Sequence, residues 1–290
     1  MNVKIFQKGF NYSQDGQGNR LILHLQGCNM KCPWCSNPEG VSVKGTIVTE
    51  KEWLRDSLCP KGAVKEKTLD RSYCDSCEEK LCLQIKRQKG IRLSFKEYEI
   101  DEIVKECVAA KPMFFDGGGV TLTGGEITMQ YDAVKELLKK LGDAGIHRAI
   151  ESNGTHPKMA ELVPLVEQWI MDVKHYDNEI HKKWLGVPNT CITKTLKEVS
   201  KVHRNMLVRV PLIPGFNDSE ADAVAFAKYF VNHMDVEKTK VEFLAYHEFG
   251  KGKWEQCGME YQMPPVRLKE GTVAYFENIM KQHGIICVRT

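Results

Sequence analysis

The sequence predicts an α/β protein, a partial (β/α)6 barrel carrying a small cysteine-rich insert, on three observations. Short β-branched, apolar runs alternate with amphipathic helical stretches, which is the pattern of βα units around a parallel sheet. The glycines and unusual polar residues fall directly after those runs, so they share one rim, the carboxyl end of the strands where barrels of this class build their sites. Cys59, Cys74, Cys77 and Cys82 cluster in a stretch, residues 45–92, that is rich in Lys and Arg, poor in aliphatic runs and follows neither the strand nor the helix period.

Taken in order, the first strand is expected over residues 20–25, followed by Gly27 and Cys28. After the insert a helix is expected over 99–110, then a strand over 120–123 that ends at Gly124–Gly125–Glu126. A helix over 131–144 stops at Gly145, and a strand over 147–151 leads into Ser152–Asn153–Gly154. Pro157 opens a helix over 157–166, and a strand over 169–173 brings Asp172 and Lys174 to its end. A helix over 189–203 precedes a strand over 207–213, which stops at Pro214–Gly215. Asp218–Ser219 can cap a helix over 220–233; a strand over 240–245 ends at Tyr246–His247, and a helix over 268–283 closes the chain. The barrel is thus assigned to residues 1–44 and 93–290, and the insert to 45–92.

The 290 residues include 41 basic and 38 acidic side chains, a formal charge of +3 that is too balanced for nucleic acid or a membrane surface as the main partner. No apolar run approaches the roughly 20 residues needed to span a bilayer, and Met1 to Arg20 is polar, without a signal peptide. Eleven cysteines, an odd number in a long chain of this kind, read as metal ligands or buried thiols and not as a disulfide framework, which makes the cytoplasm the expected compartment. Cys107, Cys191, Cys257 and Cys287 stand alone and are expected to be buried or incidental.

Cys28-x3-Cys32-x2-Cys35 lies on a loop with Asn29, Pro33 and Trp34. Three thiolates on a short loop can hold three corners of a cubane iron-sulfur cluster and, with no fourth local ligand, leave one iron open to substrate. A zinc knuckle completed by a distant His, or a redox pair, is the alternative, although structural zinc favours paired two-residue spacings and four ligands.

At this point the chain resembles the radical S-adenosyl-L-methionine (SAM) superfamily, whose signature is this three-cysteine spacing. The wider stretch DGQGNRLILHLQGCNMKCPWCSNPEG, residues 15–40, looks like the activating enzymes of glycyl-radical enzymes, of which pyruvate formate-lyase activase is the familiar member. The resemblance continues through TLTGGEITMQ (121–130), MDVK (171–174), RVPLIPGFND (209–218) and LAYHEFGKGKW (244–254). It departs at Gln17, where the family usually has Pro, and at Asn19–Arg20–Leu21, where it has Ile-Arg-Thr; that loop bears on partner identity more than on chemistry.

SAM presents an ammonium, a carboxylate, a ribose and a sulfonium, and the rim offers a group for each. Glu126, after Gly124 and Gly125, suits the ammonium. Lys174 suits an anionic group, and Asp172, two residues away, lies on the same face of its strand. The resemblance implies that Trp34, Ser36, Ser152, Asn153 and His247 contact SAM, and that a monovalent cation binds near Glu151, where the family often has Asp. Arg209 can bind the SAM carboxylate or pair with a barrel acid. In the insert, Cys59-Pro60 and Cys74-x2-Cys77-x4-Cys82 look like the remnants of two ferredoxin runs and form the set that would hold one further [4Fe–4S] cluster; a structural Zn(Cys)4 site is the alternative.

The expected reaction is reductive cleavage of SAM at the cluster held by Cys28, Cys32 and Cys35, giving a 5′-deoxyadenosyl radical that takes hydrogen from a glycine of a partner glycyl-radical enzyme. A flavodoxin- or ferredoxin-like protein is the expected reductant, and the nine Lys and Arg against five Asp and Glu between Lys61 and Arg92 suit an acidic donor. A monomer is expected. The rival readings are a radical SAM enzyme acting on a small molecule, and a non-catalytic iron-sulfur or zinc module.

Overall fold

The computed structural model describes residues 1–290, apart from the side chain of Asp75. In chain order its elements are β1 (Asn2–Tyr12), β2 (Asn19–Leu25), β3 (Ile47–Thr49), β4 (Val64–Lys65), β5 (Thr68–Leu69), α1 (Arg71–Asp75), β6 (Ile91–Leu93), β7 (Lys96–Glu99), α2 (Ile100–Ala109), β8 (Gly119–Gly124) and α3 (Tyr131–Asp143). There follow β9 (Arg148–Ser152), β10 (Gln168–Asp172), α4 (Asn178–Leu185), α5 (Thr190–Val202), β11 (Met206–Leu212), α6 (Glu220–His233), β12 (Thr239–Ala245), α7 (Lys251–Gln256), α8 (Thr272–Gln282) and β13 (Ile286–Cys287).

The main sheet runs β13-β12-β11-β10-β9-β8-β2-β1-β7. From β2 to β13 every pairing is parallel, and β1 adds antiparallel pairings to β2 and β7. This is the expected partial (β/α) barrel. Strands covered on both faces read as near-continuous apolar runs, and β8, β10 and β11 are buried along almost their whole length.

The helices bury one stripe each. In α3 that stripe is Ala133, Val134, Leu137, Leu138 and Leu141, spaced to face the sheet. At the start of α6, Ser219 Oγ accepts from the Asp222 N–H at 3.1 Å while Asp222 Oδ2 accepts from the Ser219 N–H at 3.0 Å, a reciprocal cap typically worth about 1 kcal/mol.

Two expectations need correction. Residues 157–166 form no α-helix but a 3-10 stretch, Met159–Leu165, because Pro164 inside it lacks the N–H an α-helical ladder needs. Strand β1 and helix α4 went unforeseen, although α4 carries ordinary signals: the Asp177 carboxylate accepts from the Ile180 N–H at 2.8 Å, and Gly186 stops the helix at φ +83°.

Between β2 and β7 the chain leaves the barrel. Strands β3 and β6 pair antiparallel, Ile47 opposite Leu93, and between them lie the β4–β5 hairpin, α1 and one small apolar cluster of Ile47, Leu54, Leu58, Val64 and Ile91. Among the described residues, no helix is long and apolar enough to cross a membrane.

Three buried histidines make the barrel acid-sensitive. Burial holds His181 at about 4, with its Nδ1 2.7 Å from the Val187 carbonyl, and also lowers His175 and His203. Below about pH 6.5 the unfolded chain takes up protons that the native imidazoles refuse, so stability falls between about pH 6.5 and 4, by up to about 1.4 kcal/mol per pH unit for each fully refusing histidine. Urea titrations at pH 7.5 and 5 check this; equal midpoints would contradict it.

Candidate functional site

The three-cysteine loop hangs from β2 by backbone bonds. Gly27 N–H donates to Gly40 O at 2.7 Å and Cys28 N–H to Val41 O at 2.9 Å, while the buried Gln26 amide donates to the carbonyls of Glu39 and Ser42 at 2.8 and 2.7 Å. Trp34 anchors the loop from within, its ring 4.8 Å from Phe216 and 6.3 Å from Trp184. The loop is thereby fixed over the strand ends.

Together they line an open cleft of about 260 Å³. Its lining brings together Cys28, Cys32, Trp34, Cys35, Ser36, Gly124, Gly125, Ser152, Asn153, Asp172, Lys174 and His247, residues drawn from loops after five different strands. Tyr246, expected at the rim beside His247, also lines it, as does Thr123, which was not singled out. Tyr246 Oη lies 3.0 Å from Tyr261 Oη, a contact that no sequence spacing announces.

Burial pushes Cys28 up to about 12 and raises Cys32 and Cys35 as well, so each thiolate needs compensating positive charge. Part of that compensation is built in. Met30 N–H donates to Cys28 Sγ and Asn37 N–H to Cys35 Sγ, both at 3.4 Å. Lys174 reaches into the same pocket, paired at 2.8 Å with Asp172; burial pushes the ammonium down, but Asp172 and the thiols push it up further, so it stays charged. Three thiols ringing a cavity, two of them already receiving N–H donors, fit a metal-sulfur body that supplies the remaining positive charge. Among the described residues, no three His, Cys, Asp or Glu side chains converge on one point as a single metal ion would require.

Glu126 is placed differently from expectation. It lies beneath the cleft surface, 1% exposed, where its carboxylate accepts from Thr128 N–H and Oγ at 3.0 and 2.6 Å, from Ser152 Oγ at 2.9 Å and from Asn153 N–H at 2.7 Å. Its acceptors hold the Ser152–Asn153 turn in place, and that turn reaches the cleft. Asn153 in turn donates to Asn29 Oδ1 at 2.9 Å, tying the third strand end to the cysteine loop.

Arg209 follows the second of its two expectations. Its guanidinium is buried beneath the cleft and donates to Glu242 at 2.8 Å and to Glu151 at 2.9 Å, and further to the Gln14 carbonyl. Glu151 also accepts from Thr123 Oγ at 2.7 Å. The single Arg209 charge is shared between Glu151 and Glu242, with Asp15 4.0 Å away, so the cluster stays net negative. In the insert, Cys59, Cys74, Cys77 and Cys82 line one small pocket of about 30 Å³, walled by Pro60, Ala63 and Leu81. Cys107 and Cys257 are buried and Cys191 is exposed.

The chain belongs to the radical SAM superfamily, whose model matches residues 22–227. It is an enzyme of that superfamily, which works with a [4Fe–4S] cluster and SAM. It is 30% identical to the (2S)-3-sulfopropanediol dehydratase activating enzyme of Klebsiella oxytoca, over 94% of this chain and 92% of the relative. It is 28% identical to the 4-hydroxyphenylacetate decarboxylase activating enzyme of Clostridioides difficile (strain 630), over 94% of this chain and 91% of the relative. Among solved structures, Streptococcus suis SuiB bound to precursor peptide SuiA shares the fold, with a TM-score of 0.53 at 12% identity, over 92% of this chain and 48% of that one.

Proposed function

We propose that this chain activates a glycyl-radical enzyme. The observation that carries the proposal is the union of three loop thiols and a polar rim in one cleft, in a chain similar over more than nine-tenths of its length to activating enzymes. Cys28, Cys32 and Cys35 hold the cluster. Bound there, the cluster would supply one electron for reductive cleavage of SAM to methionine, the chemistry by which a hydrogen would be removed from the Cα of a partner's glycine.

The chain's own residues bind, orient and exclude water. Lys174 offers an ammonium to an anionic group of SAM, with Asp172 keeping it charged and aimed. Ser152 and Asn153 present hydroxyl and amide groups from a turn that Glu126 immobilises, and His247 closes the rim at the end of β12. Trp34, packed on Phe216, keeps the wall of the cluster loop apolar. A flavodoxin- or ferredoxin-like protein supplies the electron, and the chain works as a monomer in the cytoplasm.

Anaerobic incubation with dithionite and SAM should yield 5′-deoxyadenosine, and adding the cognate partner should yield a glycine-centred EPR doublet. Catalytic turnover of a small molecule with no protein partner would favour the rival enzyme reading.

The insert, residues 45–92, we read as a module holding a second [4Fe–4S] cluster through Cys59, Cys74, Cys77 and Cys82. Four thiols ring a cavity instead of meeting at a point, and four ligands leave no iron open to SAM. A small apolar cluster of five residues is poorly able to fold so long an excursion by burial alone, so the metal contributes to its stability. Replacing Cys74 and Cys77 by Ala should lower iron from about eight to about four per chain and expose the insert to proteolysis. One zinc and about four irons in the wild-type protein would refute the cluster and keep the structural role.

A further inference from the structure

Helix α7 is bonded to the three-cysteine loop and to the insert. On the barrel side, Trp254 Nε1 donates to the carbonyl of Cys35 at 2.8 Å, and Lys253 Nζ reaches Asn37 Oδ1 at 2.8 Å and the buried Glu39 carboxylate at 2.9 Å. Approach is close: a Cβ on Gly250, at the start of the helix, would stand 2.6 Å from the Cys35 carbonyl oxygen. At its other end the Gln256 carbonyl accepts from Arg71 at 2.9 Å and from Thr49 Oγ at 3.1 Å. Arg71 opens α1, three residues before Cys74, and its second prong donates to the Ile47 carbonyl of β3 at 2.7 Å. Gly258, at φ +67°, leaves the room this needs, since a Cβ there would stand 1.7 Å from Arg71 Nε.

We propose that α7 is a strut through which the insert positions the Cys35 end of the three-cysteine loop. Arg71 and Trp254 are its positioning residues. Four features make the link specific. At each end one bond goes to a backbone carbonyl, from Trp254 to Cys35 and from Arg71 to Gln256, and so bears on main chain. The Arg71 fork spans β3 and α7 together, which a lysine cannot do. The two glycines permit contacts that any side chain would block. Burial of Glu39, with Lys253 against it, makes the barrel end costly to separate. Order in the four-cysteine module is thereby transmitted to the three-cysteine loop, and the functional meaning of this rests on reading both thiol sets as cluster ligands.

The test uses the full chain in metal-free and anaerobically reconstituted forms. In metal-free protein, Trp254→Phe keeps the ring against Tyr261 but deletes the donor to Cys35. Arg71→Ala and Gly258→Ala each break the insert's hold on α7. Each of the three should speed amide exchange at Cys35 and Gly40, which donate to Cys32 and Asn37, by about three- to tenfold, the effect of losing one net hydrogen bond. In reconstituted protein with wild-type iron content, the same variants should broaden the EPR signal of the reduced SAM-binding site, which a purely local role in the insert would leave sharp. Unchanged exchange and unchanged line shape in all three variants would overturn the proposal. A response to Trp254→Phe alone would refute the insert's part in it. If Arg71→Ala prevents the insert from loading, Gly258→Ala and Trp254→Phe still decide. About four irons in the wild-type chain would remove the second-cluster reading, while the exchange result would stand by itself.

Discussion

Replacing Cys32 by Ala should abolish formation of 5′-deoxyadenosine and lower iron from about eight to about four per chain, leaving the insert loaded. The physical reason is the absence of any substitute. The Cys32 thiol is one of three that line the cleft, and Cys107, Cys191, Cys257 and Cys287 do not line it. With two thiols left, a cubane has two uncovered irons facing a cleft open to water, and it is lost. The fold itself should survive, because the loop is held by Gln26, Trp34 and the backbone bonds to residues 40 and 41, none of which involves the Cys32 side chain. The measurement is iron content together with far-UV circular dichroism and 5′-deoxyadenosine by chromatography. Wild-type yields of 5′-deoxyadenosine from this variant would contradict the assignment.

Arg209→Ala should destabilise the barrel by about 3–5 kcal/mol, the cost of leaving a buried charge network without its cation. Glu242 is 2% exposed and Glu151 is part-buried, and each lies within 2.9 Å of the guanidinium, whose charge burial opposes and these carboxylates more than restore. In the variant Glu151 of β9 and Glu242 of β12 both lose the cation they share. The urea midpoint reports the loss. Replacing all three residues together, as Arg209→Met, Glu151→Gln and Glu242→Gln, should recover most of it, because a network removed whole leaves no unpaired charge. A single-variant loss under about 1 kcal/mol would show that water reaches the network and screens it.

Much of this was legible in the sequence, for identifiable reasons. Strands β2, β8, β10 and β11 are buried along almost their whole length, so they announce themselves as apolar runs, and the rim residues follow directly. The thiol loop was legible because its ligands are local, all within eight residues. Strand β1 was not, because only Val3 and Ile5 are buried and the rest of its length is at least partly exposed, which erases the alternation. Glu126 was placed at the right strand end but given the wrong neighbours: its partners Ser152 and Asn153 lie 26 and 27 residues away, and only the β8–β9 packing brings them to its carboxylate. The same holds for Arg209, whose acids are 58 and 33 residues distant, and for Trp254, which meets Cys35 across 219 residues. Pairings of that reach are properties of the topology, and no local spacing encodes them.

The central claim is that one cleft holds both a three-thiolate cluster and SAM. The most direct measurement is the EPR spectrum of anaerobically reconstituted, dithionite-reduced protein recorded with and without SAM. The account predicts that SAM shifts the signal of the cluster at Cys28, Cys32 and Cys35, and that Lys174→Met, which removes a charge-assisted contact worth about 1.5–3 kcal/mol, raises the SAM concentration needed for that shift without lowering iron content. A reduced-cluster signal indifferent to saturating SAM would contradict it.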